Sequence, residues 1–415
     1  MSDVWRYRFY QVQNGLAGYT SEQYLFDLPL NSATFSTVLQ QSGTWSGTVQ
    51  MTDSGVQRIL ANQPPLHTLE DRTAMYVELN GDLVFGGPLQ QVSYDSITQT
   101  AKIQGMDWWG YFNQGRQISW NASYTNADQL LVAADLMNIA QGAASTASAS
   151  PTVPLGFVTG GAVGVILGSV AAQALTGAYT SGVDVTVAWA QSANKSLGQA
   201  ISDMAVAAFG FDWTIDVAYS GGVPTKTFNL WYPRAGRTQQ QQITSGSSLM
   251  FNLGGTSGQK YTWPSGQVQP ANVLFGAGSG AGNSAIASEA ADPTLLAEGW
   301  PVLENNVSFT DVNSQSLLDS LTLATLNATK LPVSQPQIQY NAGSDSDQPL
   351  GAYAIGDDCR LMIPPDPYFP SGYDSEGGSS GENWWRVQQI TTTVNDQGKS
   401  YSVITLGLPP IIPGT

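Results

Sequence analysis

Short apolar–polar alternations, closed by glycine, asparagine or proline turns, run along most of this 415-residue chain. Alternation with a period of two sets one face of an extended segment against a core and the other in water, so it specifies strands. Trp5, Tyr7 and Phe9 alternate with Arg6, Arg8 and Tyr10, and further runs follow at 24–30, 34–39 and 44–51. Asp53 or Ser54 can cap a short helix over 55–61. The runs 73–79 and 83–92 are joined by Asn80-Gly81-Asp82, a hairpin signal because such residues tolerate positive φ. The run 99–106 closes the set. Short strands at near-regular spacing specify a sandwich or barrel.

The next stretch is mixed. Asn126 can cap a helix carrying Leu130, Ala134, Met137 and Ala140 on one face. Asn194 opens a second, with Leu197, Ile201, Met204 and Ala208 at helical spacing and Gly210 as its stop. Alternation returns in Phe211, Trp213, Ile215, Val217 and Tyr219, and Ser220-Gly221-Gly222 turns the chain into 226–232. Thr238-Gln239-Gln240-Gln241-Gln242 reads as a linker. Beyond it come strand runs at 337–341, 358–363, 384–394 and 400–406, a Pro/Gly/Ser loop over 364–382, and a helix over 314–328 with Leu317, Leu318, Leu321 and Ala324 on its apolar face. The expected fold class is mainly β with α+β insertions. Three sections follow from it: a strand-rich, barrel-like domain over 1–118, an α+β domain over 119–238 with an apolar insertion at 143–183, and a region over 239–415 holding a second barrel-like domain.

Composition narrows the chemistry. His67 is the one histidine and Cys359 the one cysteine. A Ser-His-Asp triad has one histidine to draw on, a His/Cys zinc site lacks ligands, and no disulfide can form within the chain. Charged residues make up 11% of the chain, against about 25% in an ordinary domain, and the formal net charge is −16. Proteins that wrap DNA need Lys and Arg to displace counterions, so direct nucleic-acid binding is disfavoured. An acidic wall can still repel a passing strand. The N-terminal MSDVWRYRFYQVQ has no apolar core or small-residue cleavage site and does not read as a secretory signal. A lone cysteine fits synthesis in a reducing cytoplasm.

The insertion is the one stretch apolar enough to suggest a membrane. No charge occurs from Leu136 to Val183, and 154–179 is long enough to span. Its six glycines, its Ser and Thr, and the lack of flanking Lys or Arg argue instead for a loop or hairpin packed on another subunit. Val163, Val165, Ile166 and Leu167 are its candidate contact residues.

Four further features have a structural and a chemical reading. Residues 275–282 fit G-x-G-x-x-G/A after a strand, but no apolar helical face follows, so a surface loop is expected. Glu70-Asp71 and Asp357-Asp358 are adjacent carboxylates; strand neighbours face opposite ways, so they read as turn or solvated charges rather than a glycosidase pair. Trp108-Trp109 and Trp384-Trp385 can stack on sugars, but the better reading puts one ring of each pair in the core and the other on a neighbouring subunit. His67 reads as a loop residue and Cys359 as a buried small hydrophobe.

Leu28-Pro29-Leu30, Gly43 to Val49, Arg72 to Val77, Gly81 to Gly87 and Gly105 to Tyr111 occur in an order that resembles the N-terminal region of siphophage tail hub proteins, the minor tail proteins of phages infecting actinobacteria. Asn272 to Gly276, Gly299-Trp300-Pro301, Gly356-Asp357-Asp358, Trp385-Arg386-Val387 and Tyr401 to Gly407 continue the resemblance. It covers most of the chain apart from the apolar insertion.

The resemblance implies a homotrimer in which each subunit gives two barrel-like hub domains, forming a pseudo-sixfold ring beneath the tail tube. The implied partners are the distal tail protein, the tape-measure protein and other tail-tip or receptor-binding proteins, with DNA passing through unbound. The place implied is the tail tip of a virion made in the host cytoplasm. No catalytic, cofactor or metal residues are expected. Many relatives continue into a cell-wall hydrolase or fibre; here the resemblance ends at the last strand and no such appendage is expected. Two alternatives stand beside this reading: a glycan-binding or glycan-hydrolysing tail protein, and a homologue in a contractile injection machine.

Overall fold

The computed structural model describes residues 3–12, 22–140, 165–167, 180–206, 210–254, 259–263, 270–280, 282, 285–309, 312–330, 335–375 and 384–407. The N-terminal section forms β1 (Trp5–Gln11), β2 (Gln23–Asp27), β3 (Ser32–Val38), β4 (Thr44–Gln50), α1 (Ser54–Leu60), β5 (Thr73–Leu79), β6 (Asp82–Asp95) and β7 (Thr100–Met106). Asp53 caps α1, accepting from the Gly55 and Val56 amides. Asn80 and Gly81 take the positive φ of 54° and 107° that the β5–β6 hairpin requires. Phe9, Phe26, Phe35, Trp45, Val56, Val77, Phe85 and Ile103 come from every one of these elements and pack together, so the sheet wraps around a single core.

The middle section contains the short turn α2 (Trp108–Gly110), then β8 (Ala122–Asp128), α3 (Gln129–Ala140), β9 (Val165–Leu167), β10 (Asp184–Trp189), α4 (Leu197–Val206), β11 (Asp212–Ser220) and β12 (Val223–Trp231). Both helices exist, but their starts differ from the expected ones. Asn126 sits at a bulge in β8 with φ 49°, and Asp128 begins α3, accepting from the Leu130 amide. Asn194 ends a preceding turn in the left-handed region, and the Ser196 hydroxyl accepts from Gln199 to begin α4. In both cases the residue nearer the helix offers its oxygen to the free amides, and asparagine is left in the conformation it tolerates best.

The C-terminal section runs α5 (Gln239–Ser245), β13 (Met250–Asn252), β14 (Lys260–Thr262), β15 (Val273–Ala277), β16 (Ala287–Ala291), α6 (Pro293–Ala297), β17 (Glu304–Ser308), α7 (Gln315–Thr329), β18 (Gln337–Asn341), β19 (Asp358–Ile363), β20 (Tyr373–Asp374), β21 (Trp385–Val394) and β22 (Ser400–Gly407). The glutamine run is therefore a helix, not a linker: Thr238 and Gln241 form a reciprocal capping box. A second departure lies at 273–329, where β16-β15-β17 make a separate sheet with α7 on one face. Leu318, Leu321, Thr322 and Leu326 are the buried side of α7, while Leu317 and Ala324 are half-buried.

The mainly-β class with α+β insertions holds. Among the described residues the largest sheet has fourteen strands, and its spine runs β14-β18-β22-β21-β3-β4-β7-β6-β5-β1-β2. The N- and C-terminal sections meet inside it, where β3 pairs antiparallel with β21 from Ala33↔Val394 to Val38↔Gln389.

Candidate functional site: the ionic joint and cleft between the sections

β11 starts at Asp212, β12 leads to Arg234 and Arg237, β19 starts at Asp358, and Arg386 lies at the start of β21. These ends converge. Arg386 pairs with Asp212, Arg234 with Asp358 at 2.6 Å, and Arg237 with Asp357 at 2.5 Å. Apart from Arg237, whose side chain is 46% exposed, every member is interior. Gly236 and Gly356 lie back to back with φ of 83° and 90°; a Cβ on Gly236 would come 2.0 Å from the Gly356 carbonyl carbon. Glycine at both positions is what lets the two chain segments approach closely enough for the arginines to cross between them.

The carboxylates accept further bonds. Asp212 accepts from the Ala235 amide at 2.6 Å and from Gln40 Nε2 at 2.8 Å. Asp357 accepts from the Arg237 and Ala354 amides, and Asp358 from the Gln239 amide. Burial pushes the Arg386 guanidinium below the usual arginine range, opposed by the charge of Asp212. The hydrogen bond from Arg237 to Asp357 is the largest influence on Arg237 and raises it. Carboxylates tied to arginines and backbone amides in this way hold the geometry of the joint. Asp357 closes a turn, its amide donating to the Ala354 carbonyl, but neither Asp357 nor Asp358 is solvated, correcting that part of the sequence reading: both are at most 3% exposed.

Beside the joint opens a cleft of about 830 Å³. Phe35 and Thr37 of β3 with Ile390 and Thr392 of β21 form part of its lining, along the seam between the sections. The start of β6, the middle of β11 and residues 350–355 make up much of the remainder. Asp107 also lines it. Its two oxygens accept from Gly43 and Gly110 amides at 2.8 Å each, and removal from water pushes its carboxyl up to about 7 against those bonds.

The other sequence candidates fall as follows. Trp108, Trp109, Trp384 and Trp385 are all at most 6% exposed within the single chain. Trp109 lies 5.0 Å from Trp213, and Trp385 lies 5.6 Å from Trp263 with its Nε1 donating to the Tyr373 hydroxyl. The expectation that one ring of each pair faces a neighbouring subunit is therefore corrected: both rings of both pairs are interior, and neither pair offers a platform for a sugar. Of the insertion, Val163 lies outside the described residues, while Val165, Ile166 and Leu167 form β9, parallel to β12 at Lys226, Thr227 and Phe228.

Glu70 accepts from the Val92 amide and Asp71 sits at φ 57°. His67 is exposed and Cys359 fully buried, with its thiol pushed far up by desolvation. The glycine-rich loop after β15 leads into the antiparallel strand β16 rather than a helix, and a Cβ on Gly276 would come 2.1 Å from Thr322 Oγ1. Gly276, the first glycine of the pattern, lies within β15 and serves helix packing rather than a pyrophosphate. Among the described residues no cluster of His, Cys, Asp or Glu could hold a metal.

Arg386 lies in the Trp385-Arg386-Val387 run of the resemblance; Asp212, Arg234, Glu22 and Lys226 carry no recognisable motif. Their one signal is context: in a chain so poor in charge, Lys226 alternates with Phe228 and Leu230 on the face that β12 buries.

No family model matches the chain, and no curated protein matches it. Solved structures do. The tail protein of Neisseria meningitidis MC58 aligns with a TM-score of 0.51 at 11% identity, over 98% of this chain and 97% of that one. A 43 kDa tail protein of prophage MuSo2 from Shewanella oneidensis aligns with a TM-score of 0.52 at 11% identity, over 97% of this chain and 98% of that one. The fold is shared end to end.

Proposed function

We propose that this chain is a structural hub of a phage tail tip. The observation that carries the reading is the end-to-end likeness in fold to two tail proteins, covering 97% or more of this chain and of each of theirs. In this reading three copies close into a ring that joins the distal tail protein to the tip or receptor-binding proteins, with the tape-measure protein and then the DNA inside. The ionic joint suits such a part. It joins the middle and C-terminal sections by buried charge, and Gln40 ties the N-terminal section to the same Asp212.

The acidic balance fits a conduit that DNA passes without binding. Two of the basic residues that could oppose it are engaged elsewhere: Arg234 is interior, and Arg116 donates to the Ala140 carbonyl at the end of α3. Localisation of the chain in purified particles tests the proposal; density in the capsid or along the tube wall, away from the tip, would overturn it.

A further inference from the structure

Lys226 and Glu22 are 204 residues apart in sequence and meet inside the core of the middle section, Nζ against Oε1. Their side chains are 2% and 5% exposed. Lys226 Nζ lies 4.4 Å from the centre of the Trp108 ring, and Phe228 and Leu230 share its face of β12. The Tyr76 hydroxyl, fully buried, borders the Glu22 carboxyl without a well-formed hydrogen bond, and Glu22 Oε2 has no such bond within the described residues. A full ion pair in so apolar a place is costly unless the remaining lone pairs are satisfied, and among the described residues Glu22 Oε2 is without a bond. Burial drives both groups the same way: it raises the Glu22 carboxyl and lowers the Lys226 amine, each opposed by the other's charge.

We propose that Lys226 and Glu22 are a self-modification site, condensing into an intramolecular amide that staples the segment before β2 to β12. The chemistry balances without a co-reactant. A proton passes from the ammonium to the carboxylate, leaving a neutral amine beside a neutral acid. The amine lone pair attacks Glu22 Cδ, the carbon–oxygen bond to the hydroxyl breaks, and that hydroxyl leaves as water with one amine proton. The Tyr76 phenol is placed to donate to the carbonyl oxygen as it takes up charge. Amide formation is slow between free molecules, but fixed contact supplies effective concentrations on the order of 10⁵ M or more. Once the water has left, the aromatic wall keeps it from returning. The product removes two buried charges and leaves a neutral amide whose carbonyl faces the Tyr76 hydroxyl.

Intact-mass measurement of the purified full chain, folded before denaturation, tests this directly. The expected mass is lower than that of the sequence by one water, and digestion should give one branched peptide joining Glu22 to Lys226. Lys226→Met should restore the unmodified difference and abolish the branched peptide. A wild-type mass equal to that of the sequence, or a lost water that maps elsewhere, would overturn the proposal and leave a buried ion pair. The wild-type readout stands even if the variant does not fold.

Discussion

Asp107 titrates in the wrong direction for a stabilising carboxylate. Its folded value is raised to about 7 from 3.8, so between those values the folded chain holds a proton that the unfolded chain has lost. Stability contributed by this residue is therefore highest at low pH, falls as pH rises from about 4 to 7 by up to ~1.4 kcal/mol per unit, and is flat above. Urea unfolding of Asp107→Asn should lack that slope, so the difference between wild type and variant should change sign or shrink on going from pH 7 to pH 5. A parallel pair of pH profiles would contradict it. Arg386 matters through the partner it neutralises. Arg386→Met strands Asp212 in the interior with the Ala235 amide and Gln40 as partners, and should cost about 3–5 kcal/mol in denaturant unfolding. A loss below ~1 kcal/mol, the range of a surface pair, would mean that the joint is hydrated.

Helix α5 separates local from tertiary causes. Its capping box was legible in the sequence as Thr238-x-x-Gln241, yet four consecutive glutamines carry no apolar face and so read as a linker. What holds the helix is one glutamine. Gln242 Nε2 donates to the Asp358 carbonyl at 2.6 Å, and its Oε1 accepts from the Leu249 amide at 2.6 Å. Gln242→Leu leaves both buried backbone groups unpaired and should cost more, about 2–4 kcal/mol in all, than Thr238→Ala at about 1 kcal/mol. Thermal unfolding of the two variants would rank them; the reverse order would mean that capping, not packing, holds α5. Other elements were legible from period and turn chemistry alone: β5 and β6 follow from Asn80-Gly81, and α1 from Asp53. The starts of α3 and α4 were displaced by two residues because Asn126 and Asn194 satisfy the cap preference while the backbone uses their tolerance of positive φ instead.

At the scale of the whole molecule, pattern reading reached the fold class but not the arrangement of the sections. Alternation in 34–39 and 384–394 marks two strands; nothing in it says that β3 and β21 pair across 350 or so residues, because each strand sees only its own faces. The same limit hid the joint: Asp357 and Asp358 look like turn charges until Arg234 and Arg237 arrive from another section. The tryptophan pairs misled for the converse reason, since one chain supplies enough surface to bury all four rings. The central claim, a ring-forming hub, belongs to this scale, because closed cyclic assembly is how a repeated chain uses up its adhesive surfaces. Native mass measurement of the tail-tip subassembly counts the copies directly. The account predicts three copies of this chain in each tip; a single copy per assembled tip would contradict it.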